Sequence, residues 1–554
     1  MSKKQQQRLE VEKWTASPPK LQPKLAASLP DAAEPCPPAT TQPVPRLTPG
    51  TVPIPIVSDH EFLETDPNDD ESGNVGFDYL SYVSGQLFDA PLYASPASDM
   101  RIDSSSLYRS LPSLVDLEHS DHQALDYFQK EIIFGFGSKS PTWSTHAILL
   151  ESGTPKPVVL HLLLAASLTE LGCQHPSFGY MTRAAEKHYH IGRRLLQDVL
   201  RSGEEPDHLA VMAAFWFLYL HQRRRGPNRR PAYRELSDMM REHIQKYRLE
   251  HILASSETSL NASRSWELPF PKWRSLLSRL TIWLFWADAQ SCFQGEGGSM
   301  ARLLVRSSSA SASSSASSKG IFDMYERSRG TLELYWGPRY PDSELVDDLK
   351  NGAALELIHH TWVIVQEINE ATEFGALAAR QSRELKSKME DLRTRFPFSS
   401  VFRLSESAAM VRDRLMANAD WAVCNYYALC IYHFRCGLDG MEAAGDAGDA
   451  GAQPGEIEEI VASLLILVQK TLAGCEKGQL DRLQWPLFWA AIESSDPYTL
   501  MNLTSPSLQA ALETVLLEQS GTGRIGISRI RQICREKSAD FAGSGFDGWT
   551  SSAA

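Results

Sequence analysis

Cysteine is scarce for a chain this long: eight in 554 residues, at positions 36, 173, 292, 424, 430, 436, 475 and 534. Their spacing forms no framework of the kind that staples small secreted domains. The opening MSKKQQQRLEVEKW lacks the apolar core of a signal peptide, so a reducing intracellular compartment is expected. The most apolar stretches, Val158–Leu168 and Asp207–Gln222, are shorter than the roughly 20 residues a bilayer crossing needs, which argues against a membrane protein. No strand-like alternation and no fixed-period repeat emerges. Positive charge is not in excess either. The net charge is -13, so any contact with nucleic acid has to come from a local patch.

The motifs of catalysis and metal binding are missing as well. Cys424, Cys430 and Cys436 look like a cluster until they are placed on a helix. Steps of six residues rotate by about 240°, so the thiols point three ways and read as packing groups. His188 and His190 diverge for the same reason, and His359–His360 has no cysteine or carboxylate at ligand spacing. The string Gly521-Thr-Gly-Arg-Ile-Gly526 matches GxGxxG, but a helix precedes it where the phosphate-binding motif needs a strand. A glycine-rich turn between helices is the better reading. Neither GxSxG nor HExxH occurs. The tryptophans read as core, with a small-molecule pocket as the alternative. The sequence thus nominates no catalytic, cofactor-binding or metal-ligating residue, and the chain is expected not to be an enzyme.

What is present is helical text behind a long polar start. Residues 1–57 hold twelve prolines and a basic first part, and are expected to be disordered. Residues 58–116 form an acidic-aromatic segment. Within 58–103, eleven acids face the single Arg101, with Phe62, Phe77, Tyr79, Tyr82, Phe88 and Tyr93 threaded among them. Acids keep such aromatics solvated for a partner to bury, so the first five of these are candidate activation residues; a plain acidic linker has the same composition.

From Leu117 to about residue 540 the composition predicts one large all-α domain. Ser120 and Gln123 have capping-box spacing ahead of Leu125, Phe128, Ile132 and Ile133. The stretch Lys156–Leu200 reads as a helix buried on every side followed by an amphipathic one. In the second, Ala185, Tyr189, Leu196 and Val199 share a stripe, with Arg183, Lys187, Arg193 and Arg194 largely outside it. Between Arg223 and Arg234 lie six arginines and no acid, broken by Pro227 and Pro231, which predicts an exposed loop. Arg223, Arg224, Arg225, Arg229 and Arg230 are the candidates for nuclear import or phosphate contact, against a simple solvated loop. Further apolar helices are expected around 273–287, 351–374, 404–435, 461–474, 485–492 and 506–521. Residues 306–319 and 437–456 read as disordered insertions, the first serine-rich and open to phosphorylation, and 541–554 as a disordered tail.

Five groups of stretches, in order, resemble one family. They are LDYFQKEI; PVVLHLLLAASLTELG with HYHIGRRLL behind it; LTIWLFWADAQSCFQGEGG; YWGPRYPDSELVDDL; and LQWPLFWAAIESSDP. Together they resemble the helical regulatory domain of fungal-specific transcription factors, which follows a binuclear zinc-cluster DNA-binding module. The resemblance implies a nuclear regulator of a pathway or gene cluster. Its partners would be the transcription machinery or a DNA-bound regulator, with dimerisation a further family property. The chain departs from the family where the six-cysteine cluster should stand, since only Cys36 precedes Cys173. Direct DNA binding through that module is therefore not expected: either the chain works through a DNA-bound partner, or a cluster lies upstream of Met1. The alternative function is a cytosolic helical interaction or ligand-sensing protein that kept the fold without the regulatory role.

Overall fold

A computed structural model describes residues 117–133, 139–174, 179–223, 230–254, 269–293, 297–310, 320–373, 377, 379–396, 414–444, 454–474, 480–494, 497, 504, 506–522 and 524–543. The chain divides at 96/97, and every described residue lies in the unit 97–554. Among these residues the fold is all-α: eighteen α-helices and no strand. Among the described residues no helix is long and apolar enough to cross a membrane.

The first helix, α1 (His119–Tyr127), runs into one π-helical turn, Phe128–Ile132. Its capping box is not the predicted Ser120/Gln123 pair. Glu118 is the N-cap and Asp121 its partner, whose Oδ2 accepts the Glu118 amide at 2.9 Å. The predicted spacing was right and its register two residues late, because Ser120 and Asp121 are already inside the helix and buried.

After the short α2 (Thr145–Gly153) come α3 (Pro157–Gln174), α4 (Gly179–Arg201) and α5 (His208–Arg223). Helix α3 packs along both α4 and α5 and against α1. It is apolar nearly all round, as a helix in that position must be, and Val159, Leu160 and Leu162–Ala165 are buried. In α4 the predicted stripe faces inward: Ala185, Tyr189 and Leu196 are buried and Val199 half-buried, while Arg183, Lys187 and Arg194 are exposed. Asp207 starts α5 by accepting the amides of Leu209 and Ala210 at 3.1 and 3.2 Å.

Helix α6 spans Arg230–Tyr247 and α7 Leu249–Ala254. The arginine-rich stretch is therefore shorter as a loop than predicted. Arg230 and Pro231 occupy the first turn of α6, where proline's missing N–H costs nothing because that N–H has no intrahelical acceptor.

Helix α8 (Phe270–Phe293) is the shared partner of the body. It packs on α5 and on α9 (Ser299–Ala310), α10 (Ile321–Arg329), α11 (Thr331–Trp336) and α12 (Asp342–Ala371). Its Trp273, Leu277, Leu280, Leu284 and Ala287 are buried, as their helical spacing predicts. Behind it stand α13 (Ala379–Arg395), α14 (Arg414–Ala444), α15 (Pro454–Gly474) and α16 (Gln484–Glu493). The chain then forms α17 (Pro506–Thr522) and α18 (Ile527–Gly543); of the string read as a turn, Gly521 and Thr522 close α17, residue 523 lies outside the described residues, and 524–526 lead into α18. Helix α14 is described from Arg414, residues 404–413 of the predicted helix lying outside the described residues, and it continues to Ala444, into the stretch read as an insertion. Trp485, Trp489 and Ile492 of α16 are buried together, with the Trp485 ring tilted against Trp362 and edge-on to Tyr432. One continuous core joins α1 to α18.

Candidate functional site

Of the arginines nominated for import or phosphate contact, Arg223 closes α5 and is half-buried, and Arg230 opens α6. Arg224, Arg225 and Arg229 lie outside the described residues, as do Phe62, Phe77, Tyr79, Tyr82 and Phe88. The structure does fix where the two ends of the arginine stretch are held. On the α5 side, His221 stacks on Tyr189 of α4 at 4.6 Å, and its Nδ1 meets Thr169 Oγ1 of α3 at 2.8 Å. On the α6 side, Arg193 Nη2 donates to both carboxylate oxygens of Glu235, at 2.7 and 2.9 Å. Both anchors, through Tyr189 and Arg193, meet the middle of α4.

The same helix carries a buried polar chain that the sequence did not reveal. His188 Nε2 stands 3.0 Å from Asp121 Oδ1 of α1, and His188 Nδ1 stands 2.8 Å from His161 Nδ1 of α3. Two imidazole nitrogens at that distance share one proton. With His188 donating from Nε2 to the carboxylate, its Nδ1 accepts from His161 while both rings are neutral. Burial alone would raise the Asp121 carboxyl, but hydrogen bonds from His188 and the Glu118 amide outweigh it and hold Asp121 below the usual carboxylate range. Burial and the neighbouring His188 push His161 down to about 4. Neither imidazole hydrogen-bonds a serine, cysteine or lysine among the described residues. The chain joins α1, α3 and α4, and the buried Ser120 hydroxyl donates to its Asp121 end at 3.4 Å. A second buried pair, His208 Nδ1 to His243 Nε2 at 3.2 Å, joins α5 to α6 beside Tyr247.

Charged groups in the rear half also lock helices together. Arg435 of α14 is fully buried, hydrogen-bonds the Glu493 carboxylate at the end of α16, and donates to the Ile525 carbonyl at 2.7 Å. Arg524 Nε sits 3.2 Å from the other Glu493 oxygen. Arg531 of α18 donates to Thr372 Oγ1 at 2.7 Å, to Asn369 Oδ1 at 3.0 Å and to the Tyr432 hydroxyl, which itself donates to Asn369 at 2.6 Å. The three cysteines of α14 are spread along this region. Cys424 and Cys436 are buried, and burial pushes the Cys430 thiol up to about 12. Among the described residues no group of three His, Cys, Asp or Glu side chains is placed to hold a metal ion.

Comparisons with protein-family models, with curated proteins and with solved structures gave no match in any of the three. The class defined by the coordinates is an all-α body whose polar interior fastens helices to one another.

Proposed function

We propose that the chain is a nuclear regulator of transcription, acting for a fungal pathway or gene cluster through its helical domain and through contacts with other proteins. The observation that carries this reading is the fate of the stretches that resemble the fungal regulatory domain. Leu125–Ile132, Pro157–Gly172, His188–Leu196, Leu280–Phe293, Tyr335–Leu349 and Leu483–Glu493 all fall in or beside α-helices of the one body, and most of their apolar side chains are buried. Strings so degenerate carry weight when they build the interior in sequence order: five of the six stretches share the main core, and Trp336 and Tyr340 of Tyr335–Leu349 build a second, smaller cluster with Ile148 and Leu276. The acidic-aromatic segment 58–116 adds the composition of an activation region.

Fusing residues 58–116 to a foreign DNA-binding domain is expected to activate a reporter, and silence there removes the activation role. Replacing Arg223–Arg225 and Arg229–Arg230 with alanine is expected to reduce nuclear accumulation, with an unchanged distribution returning that stretch to a solvated loop. Chromatin pull-down separates this function from a cytosolic interaction or ligand-sensing role, because only a regulator occupies promoters.

A further inference from the structure

The exposed face of α4 is charged with one sign along nearly its whole length. At 100° per residue, Arg183, Lys187, His190, Arg194 and Arg201 fall within an arc of about 60°. All five are exposed. From Arg183 to Arg201 the stripe runs about 27 Å at 1.5 Å per residue. The helix carries five Lys and Arg against two acids, Glu186 and Asp198, in a chain whose net charge is -13. Glu186 is half-buried and lies 3.8 Å from His190, which leaves Asp198 as the exposed acid beside the stripe.

Lys187 is held by Glu118 at 2.6 Å. Arg183, Arg194 and Arg201 have no ion pair among the described residues. A solvated helix face in an acidic protein would ordinarily intersperse its charges. Here three guanidinium groups in a row are left without carboxylates, while Arg193, one residue from Arg194 but turned toward α6, is paired with Glu235. The end of α5 and the first part of α6 are fastened to the same helix through the Tyr189–His221 and Arg193–Glu235 contacts.

We infer that the exposed face of α4 is a docking surface for the phosphate backbone of duplex DNA, reading charge and not base sequence. Guanidinium forks match phosphate oxygens, and a straight, convex helix face of this length lies along a duplex without needing a cleft. An acidic peptide is the competing polyanion. Such peptides bury apolar side chains when they fold onto a surface, and α4 offers Tyr180 as its single large exposed hydrophobic residue. The surface does not depend on the regulatory function: duplex binding in solution and reporter activation in cells fail independently.

The test is fluorescence anisotropy of the full chain with a labelled 24-base-pair duplex of arbitrary sequence, between 50 and 200 mM salt. Each lost phosphate contact removes about 0.9 from the slope of log K against log salt. R183A/R194A/R201A is therefore expected to be shallower than the parent by about 2.7, which is about a 40-fold smaller loss of affinity over that fourfold salt range. R183K/R194K/R201K, which keeps the charges, is expected to keep most of the slope, and it guards against a loss caused by misfolding. Parallel slopes for the parent and the alanine variant would overturn the proposal. So would binding that ignores salt, or a preference for polyglutamate over the duplex.

Discussion

Gly192 sits where α4 presses onto α3. A Cβ there would stand 2.6 Å from Leu162 Cγ and 3.3 Å from His161 Cβ, both on the facing helix. Leu162 is fully buried and has nowhere to withdraw. Gly192→Ala is expected to destabilise the protein by about 1–3 kcal/mol through overpacking. Truncating Leu162 to alanine in the same chain should relieve part of that cost, so a urea titration of the single and double variants should show clear non-additivity. Strictly additive changes would place the helices further apart than described. Nothing local in the sequence marks this glycine, since glycine inside a helical pattern reads only as a weak point. The buried chain of Asp121, His188 and His161 was hidden for a related reason. The spacing of His188 and His190 said only that the two diverge, and the structure buries the first and exposes the second. The partners of His188, however, come from 27 and 67 residues away, and no periodicity reports such distances.

Helix α9 is started by residues that do not belong to it. Asp288, near the end of α8, accepts the Gly298 amide on Oδ1 and the Ala301 amide on Oδ2, each at 2.9 Å. Ser237 of α6 accepts the Ser299 amide at 2.9 Å. Gly298 suits this approach twice over: its φ of +91° lies in the left-handed region, and a Cβ would meet Cys292 Sγ at 2.6 Å. Burial raises the Asp288 carboxyl more than its hydrogen bonds from Ser237 and these amides lower it. Asp288→Ala leaves two buried amides without acceptors, at about 1–3 kcal/mol each. The expected result is a lower urea midpoint and faster amide hydrogen exchange confined first to α9, whereas unchanged exchange there would deny Asp288 the capping role. The buried helices α3 and α5, the two-faced α4 and the inward stripe of α8 were all legible, because helical period and burial are local properties. The cap of α9 was not. Capping rules look three residues along the chain, and this cap reaches across ten, thirteen and sixty-two.

Across the molecule, burial holds His146, His243 and His359 neutral. Burial, then Arg482 and Arg279, bring His146 down to about 3; burial, then His208 and Lys246, do the same for His243. Burial also pushes His359 well down. An unfolded histidine takes up a proton near pH 6.5, and these do not until far lower. Their contribution is therefore complete above about pH 6.5 and is lost progressively as the pH falls toward 3. At pH 5 each of His146 and His243 costs about 2 kcal/mol relative to neutral pH, a large share of a typical 5–15 kcal/mol total for two groups alone. The urea midpoint should stay level from pH 8 to 7 and drop steeply between 6.5 and 5; a flat profile across that range would contradict the burial described. The locks of the rear half have a different consequence, for biogenesis. Arg531 reaches back 159 residues to Thr372 and 99 to Tyr432. A nascent chain interrupted before Arg531 emerges from the ribosome leaves Asn369 and Tyr432 without their guanidinium partner, and α14 without the cover of α18. Truncated translation products would therefore carry an open seam in their interior, a mark by which chaperones and proteases tell them from finished molecules.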